Sequence, residues 1–243
     1  MKNYFILSLV MLLLGNFLSF RKPELPPKYI YFTFDDGPLE GSERVDSITL
    51  TERLKINVFL VGRNVMASNR LRGYFNMYQQ NPFIESYNHS FTHANNQYET
   101  WYKNPQVVLA DIQKNEQALG LKYKIVRLPG RNIWRVGTRS RDDGASGKEA
   151  AELLASNGYK IFGWDIEWRH FSGGNPVQSV AAMTRVIENR LENGSTFTKD
   201  HIVILLHDEM FRKRWVESEL KQLLINLRKH DNYQFEHIRY YPQ

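Results

Sequence analysis

From Tyr29 onward the chain alternates short apolar runs with longer amphipathic stretches, a pattern that restricts it to an α/β architecture built on a parallel sheet. Seven runs read as strands: 29–34, 57–61, 82–85, 124–128, 159–164, 202–207 and 233–237. Helical periodicity fills the gaps, most clearly over 104–119, 147–157, 177–191 and 215–229. Asn104-Pro105 supplies a cap followed by proline in the first helical turn, and Gly120 and Gly158 stand where helices should stop. Seven strands with intervening helices predict a closed or nearly closed barrel, the distorted (β/α)7 variant of the α/β class. No internal repeat or low-complexity linker divides it, and the Arg-, Asp-, Ser- and Gly-rich stretch 135–147 reads as one long polar loop.

The first twenty residues stand apart. Lys2 precedes an apolar stretch from Tyr4 to Phe20, the charged and apolar regions of a signal peptide or N-terminal anchor, and a polar, Pro-rich linker follows over 21–28. Residues 29–243 are then a single domain, and a chain of 243 residues that is 42% hydrophobic suffices for one sizeable core. The expected location is secreted or periplasmic, with membrane contact only where the N-terminal segment is not cleaved. The chain has no cysteine, which excludes a disulfide framework and a lipid-modified cysteine. A net charge of +6 suits anionic surroundings, but Arg212-Lys213-Arg214 is the densest basic cluster, too short for a nucleic-acid arm, so no nucleic-acid partner is expected.

Polar constellations collect at the C-terminal ends of the strands, the edge on which barrel active sites are built. Thr33-Phe34-Asp35-Asp36-Gly37-Pro38 ends the first strand, Asn88-His89-Ser90-Phe91-Thr92-His93 follows the third, and Arg127-Leu128-Pro129-Gly130 ends the fourth. Trp164-Asp165-Ile166-Glu167-Trp168 ends the fifth and Leu205-Leu206-His207-Asp208 the sixth. Two adjacent carboxylates can divide their labour, one ligating a metal while the other moves a proton. Two histidines four apart share a helix face or a tight loop and can aim at one ion.

In this order the motifs resemble those of the NodB-homology polysaccharide deacetylases, carbohydrate esterase family four, over residues 29 to about 208. The resemblance implies a distorted barrel that removes acetyl groups from acetylated glycans with a divalent metal, usually zinc, with Co2+, Ni2+ or Mn2+ as alternatives. It assigns Asp36, His89 and His93 to the metal and Asp35 to the general base, held ionised by Arg127. His207 becomes the general acid, partnered by Asp165 or, alternatively, Glu167. Gly130, a candidate substrate-binding residue, stands where many relatives carry an aromatic residue; a backbone N–H of the loop after the fourth strand is the expected oxyanion donor, and Trp134 is the candidate for the missing aromatic wall. Trp168 and Leu205 are expected to line a pocket for the acetyl methyl group. His170, His201, His230 and His237 have no motif support and read as structural.

The favoured substrate class is N-acetylglucosamine of peptidoglycan or chitin-type oligomers. Acetylated xylan and a non-catalytic glycan-binding role are the alternatives. An Fe(II) oxygenase would require a β-rich sandwich that the alternation of strand and helix opposes. A glycosidase using Asp35 and Glu167 would require no metal.

Overall fold

The computed structural model describes residues 25–212 and 218–243. The proposed signal segment, the first half of the linker and the start of the helix expected at 215 lie outside these residues.

All seven expected strands form, and they pair in parallel. β1 (Lys28–Gly37) is central, flanked by β2 (Ile56–Leu60) and, over residues 29–35, by a late strand, His201–His207. β3 (Ile84–Asn88) and β4 (Ile125–Val126) continue the sheet beyond β2. The last strand, Tyr233–Phe235, adds only to the beginning of β1.

The barrel is closed by one segment shared between two neighbours. Lys160 N and Phe162 N donate to Lys124 O (2.8 Å) and Val126 O (3.0 Å), whereas Asp165 N and Trp168 N donate to Val203 O and Leu205 O (both 2.9 Å). The expected fifth strand, 159–164, is thereby shortened to Lys160–Ile161, a further short strand, Ile166–Glu167, follows it, and the chain between them crosses from one side of the gap to the other. The 135–147 stretch is not a plain loop. It contributes an antiparallel hairpin, β5 (Trp134–Val136) and β6 (Arg139–Arg141), which pairs through Arg135 with Ile161 and wedges into the closure. In chain order the remaining strands are therefore β7 (Lys160–Ile161), β8 (Ile166–Glu167), β9 (His201–His207) and β10 (Tyr233–Phe235). Three-residue strands carrying alternate arginines give no apolar signal; the Arg141 guanidinium lies 5.3 Å from the Trp134 ring and 5.4 Å from Phe197, so its charge covers aromatic surface.

Eight helices surround the sheet among the described residues: α1 (Ser42–Glu52), α2 (Gly62–Ala67), α3 (Asn69–Gln80), α4 (Tyr98–Tyr102), α5 (Pro105–Leu119), α6 (Lys148–Ser156), α7 (Val180–Asn193) and α8 (Glu219–Leu227). α5 starts and stops as its sequence dictates. The Asn104 side chain accepts from Val107 N, and Gly120 adopts a left-handed conformation while its N–H returns to Glu116 O. α7 begins later than the periodicity suggests, because Ser179 caps it through Ala182 N and Val177 is engaged with Arg169 O.

Strand alternation divides the core into two. In β1 the side chains of Ile30, Phe32 and Phe34 pack outward against the helices together with Ile202, Ile204 and Leu206 of β9. Tyr31, Phe59, Tyr87, Phe162 and Val203 turn inward and fill the barrel with Trp134 and Tyr241. The same period-two pattern carries Thr33 and Asp35 of β1 and Leu205 and His207 of β9 onto the inner face, where Asp35 and His207 are register partners. The catalytic candidates are thus the topmost layer of the barrel filling.

Candidate active site

Asp35 reaches the cleft because it stands in phase with the inner face of β1. Asp36, one residue on, would point to the helices if the strand continued. It adopts φ 66 instead, a left-handed conformation open to aspartate, and this break turns both adjacent carboxylates to the same side. Its carbonyl accepts from Asn64 Nδ2 (2.7 Å), which anchors the turn from α2.

His89 leaves β3 and His93 follows in a tight loop in which Ser90 (φ 69) and His93 (φ 52) are both left-handed. Asn88 holds this loop. Its Oδ1 accepts from Ser90 N and Asn115 Nδ2 (both 2.9 Å), and its own amide donates to Ile112 O, tying the loop to α5. Ser90 Oγ then accepts from His93 N (2.9 Å), while Asp111 Oδ2 accepts from Phe91 N and Thr92 N.

The two imidazoles are oriented alike. His89 Nδ1 lies 2.8 Å from Arg127 O; a carbonyl only accepts, so Nδ1 carries the proton and Nε2 presents a lone pair. His93 Nδ1 lies 3.3 Å from Asn96 Oδ1, which only accepts and so favours a proton on Nδ1, and 3.4 Å from the Tyr98 hydroxyl, which can take either role. Both Nε2 atoms converge on Asp36 Oδ1, at 3.2 Å from His89 and 2.9 Å from His93. Asp36, His89 and His93 offer donor atoms that all lie within 4.8 Å of one another. Two neutral imidazole lone pairs and a carboxylate oxygen facing one point repel unless a proton or a cation stands among them. The donor set, two nitrogens and one oxygen with their outer atoms already hydrogen-bonded, fits a divalent transition metal. Burial would raise the Asp36 pKa, but when a proton on the imidazoles takes the place of a cation, hydrogen bonds and positive charge from His89 and His93 hold it well below the usual carboxylate range. Burial opposes the charged form of His89, yet the carboxylates of Asp35 and Asp36 outweigh it and raise its pKa.

Asp35 is almost wholly buried and is tied from below. Arg127, fully buried inside the barrel, donates from Nη1 to Asp35 Oδ1 (2.8 Å) and to Thr33 Oγ1 (2.7 Å). Its remaining donors meet Phe162 O (3.0 Å) and Gly163 O (2.7 Å), the carbonyls freed where the closing segment changes partners. Gly163 is required there, since a Cβ would lie 2.1 Å from Asn132 Oδ1 and 2.3 Å from Trp134 Nε1. The other oxygen, Asp35 Oδ2, stays 3.8 Å from His89 Nε2. On the opposite wall His207 Nε2 stands 3.7 Å from Asp36 Oδ2.

The resulting cleft, about 320 Å³, is lined by Asp35, Asp36, His89, His93, Tyr98, Gly130, Trp164, Glu167, Leu205 and His207. Comparison with protein families matches residues 22–141 to the family described as polysaccharide deacetylase. Residues 22–141 belong to the polysaccharide deacetylase family. Among solved structures it is similar to a CE4 esterase of Streptococcus mutans (20% identity, TM-score 0.63, covering 86% of this chain and 85% of that one). It is also similar to a polysaccharide deacetylase of Bacillus cereus (23%, TM-score 0.59, 89% and 95%) and to the catalytic domain of a peptidoglycan N-acetylglucosamine deacetylase of Eubacterium rectale (19%, TM-score 0.59, 88% and 89%). At these identities the likeness is one of fold, and the fold is that of the NodB-like deacetylases. Comparison with curated proteins gives no match.

Several residues of this deacetylase domain sit elsewhere than their motifs suggest. Asp165 does not partner His207: its Oδ1 accepts from Phe197 N (2.7 Å) and its Oδ2 from Val203 N (2.8 Å), so both oxygens are spent on backbone where the barrel closes. Trp168 does not line the pocket; it is fully buried in the outer core against Phe211, and its indole donates to Gln178 O. Trp134, the candidate aromatic wall, is likewise core, stacked on Phe197 at 4.2 Å. The walls are Trp164 and Tyr98 instead. Tyr98 packs edge-on to His93 at 5.7 Å and fills the space beside Gly130, whose Cβ would come 3.3 Å from the Tyr98 ring. Gly130 itself has φ 64, and its N–H has no protein acceptor among the described residues. Gly130, Leu205 and Glu167 do face the cleft. Tyr98 carried no legible signal, because it enters from α4, outside every motif. Trp164 lay within a quoted motif, but a strand that splits in its middle loses the parity that tells inward from outward.

Proposed function

We propose that the protein is a metal-dependent hydrolase that removes acetyl groups from an acetylated glycan. The observation that carries this reading is the convergence of three ligand-type side chains, Asp36, His89 and His93, between a carboxylate tied to a buried arginine and a histidine on the far wall. Asp36, His89 and His93 would hold the metal, for which zinc is the first candidate and Co2+, Ni2+ or Mn2+ the alternatives. When bound, the cation supplies Lewis acidity toward the acetyl carbonyl and lowers the pKa of water at the site.

The chain's own residues supply the rest. Asp35 Oδ2, with its companion oxygen held by Arg127, accepts the proton of the attacking water. His207 Nε2 faces the cleft from the opposite side and returns a proton to the leaving nitrogen or oxygen. The free N–H of Gly130 is the candidate donor to the oxyanion. Leu205 and Trp164 give the acetyl methyl group an apolar surround, and Tyr98 offers a ring at the mouth.

N-acetylglucosamine glycan of the peptidoglycan or chitin type is the favoured substrate, supported by the basic charge balance and by the peptidoglycan N-acetylglucosamine deacetylase among the similar structures. Export through residues 1–20 would bring the enzyme to such a polymer; among the described residues no helix is long and apolar enough to cross a membrane. The test is acetate release from a panel of N- and O-acetylated polymers, with and without added zinc. Zinc-dependent release that is lost in Asp35→Asn, with zinc retained by that variant, is the expected result. Full activity in Asp35→Asn, or chelator-insensitive activity, would overturn the reading.

A further inference from the structure

His207 has a partner problem. Its Nδ1 is buried and makes no hydrogen bond, and the acid expected beside it, Asp165, is fully occupied by backbone amides. Glu167 lines the cleft but makes no bond to it. A histidine that must hold one nitrogen toward a substrate needs its other nitrogen fixed, or the ring is free to flip and to exchange tautomers.

The group against His207 is a second histidine. The His170 ring lies 5.1 Å from that of His207, centroid to centroid, with the planes at 63°. His170 is itself tightly held. Its Nδ1 lies 2.9 Å from Phe171 O, which as a carbonyl accepts only, so Nδ1 is protonated and Nε2 carries the lone pair. The Glu209 carboxylate, two residues beyond His207, sits 3.6 Å from the same Nδ1 and favours that tautomer. The loop bearing it is fastened at both ends: His170 bridges Pro176, Phe171 N donates to Asn175 O (2.9 Å), and Val177 N donates to Arg169 O (2.8 Å). The side chain is only 17% exposed. His170 therefore sets a ring that carries an acceptor nitrogen in edge-to-face contact with His207, whose buried Nδ1 lacks a partner.

We infer that His170 is the positioning residue of His207, its Nε2 accepting from His207 Nδ1–H and so keeping His207 Nε2 directed into the cleft. This rests on the reading of His207 as the proton donor. In effect the chain uses a histidine, backed by Glu209, in the place of a carboxylate next to the ring.

The experiment has two arms at one fixed, mildly alkaline pH. In the first, 15N–1H imidazole correlation spectra of the metal-free protein report the His207 tautomer. The wild type should show the Nδ1–H form, His170→Phe should lose it although the aromatic ring is kept, and His170→Gln, which restores an acceptor, should recover it. In the second, kcat for acetate release should fall roughly tenfold or more in His170→Phe with KM within about twofold, since the acid's share of such a rate is about 10²–10⁴; His170→Gln should regain part of it. An unchanged His207 tautomer in His170→Phe overturns the inference, whatever the rate does. If the wild type releases no acetate from any glycan the deacetylase reading fails, and the spectra alone decide whether His170 positions His207.

Discussion

Replacing Arg127 with methionine tests the link between barrel closure and the site more sharply than any other single change. The guanidinium makes four hydrogen bonds, to Asp35 Oδ1, Thr33 Oγ1, Phe162 O and Gly163 O, and none of it is exposed. Methionine fills a similar volume but satisfies none of these acceptors. Leaving Asp35 as an uncompensated buried carboxylate costs about 3–5 kcal/mol. Each carbonyl left without a donor costs about 1–3 kcal/mol more, partly relieved if water enters. The contributions overlap, so the expected loss is about 5 kcal/mol, which is on the order of the whole stability of many domains.

Asp35→Asn in that background removes the stranded charge and should restore about 2–3 kcal/mol, a coupling typical of directly paired residues. Urea unfolding of the metal-free wild type, the two single variants and the double variant closes the cycle. The double variant should be more stable than Arg127→Met alone. Losses that simply add to within about 0.5 kcal/mol would show that Arg127 and Asp35 are independent and would refute the assignment of Arg127 as the anchor of the base.

Other expectations follow from neighbouring contacts. His93→Ala should weaken zinc binding, measured by competition with a chromogenic chelator, whereas Asp35→Asn should bind zinc as the wild type does and lose about 10²-fold or more in kcat. Asn88→Ala frees Ser90 N, leaves Asn115 Nδ2 with Leu60 O alone and opens the loop that carries His93, so it should cost about 2 kcal/mol in urea unfolding and also reduce zinc affinity. Asp208, buried with Ser42 and Tyr78 donating to Oδ2, has its carboxyl pKa pushed up to about 6 by burial. The native state then binds the extra proton between about pH 4 and 6, so this group's stabilisation is complete below pH 4 and is lost as pH rises through 6. Asp208→Asn should flatten that decline, by up to about 3 kcal/mol for a shift of about two units, when unfolding is followed at pH 4 and pH 7. Tyr98→Ala should raise KM for a polymeric substrate while kcat changes little, since its ring borders the cleft beside Gly130 and donates no proton to the reacting atoms.

The seven parallel strands were legible because each is a buried apolar run bounded by polar residues, and the strand ends were legible because function concentrates polar motifs there. Inward or outward orientation could be read only where a strand is long. In β1 and β9 the period-two rule places Asp35 and His207 on the inner face without ambiguity. It fails over 160–168, where the chain leaves β4 for β9 and the parity of Trp164, Asp165 and Trp168 is set by the crossing itself. That is why an aspartate inside a motif becomes a backbone cap and a tryptophan becomes core. The hairpin at Trp134–Arg141 was hidden for a different reason: its strands are short, and arginines lying on aromatic rings do the covering that apolar residues do elsewhere.

These two failures share a location, and Arg127 shows why it matters. Its side chain takes up Phe162 O and Gly163 O, carbonyls set free where the closing segment changes partners, and presents its remaining nitrogen to Asp35. Its backbone carbonyl, meanwhile, fixes the tautomer of His89. One residue therefore couples the irregular seam of the barrel to both the candidate base and a candidate metal ligand. A regularly paired strand at 160–168 would leave no carbonyls for a buried guanidinium to satisfy, and an arginine so placed would lack the partners that make its burial tolerable. The distortion of the barrel is thus a condition for placing a cation beneath the catalytic layer, and the site depends on the seam as much as on the residues that face the cleft.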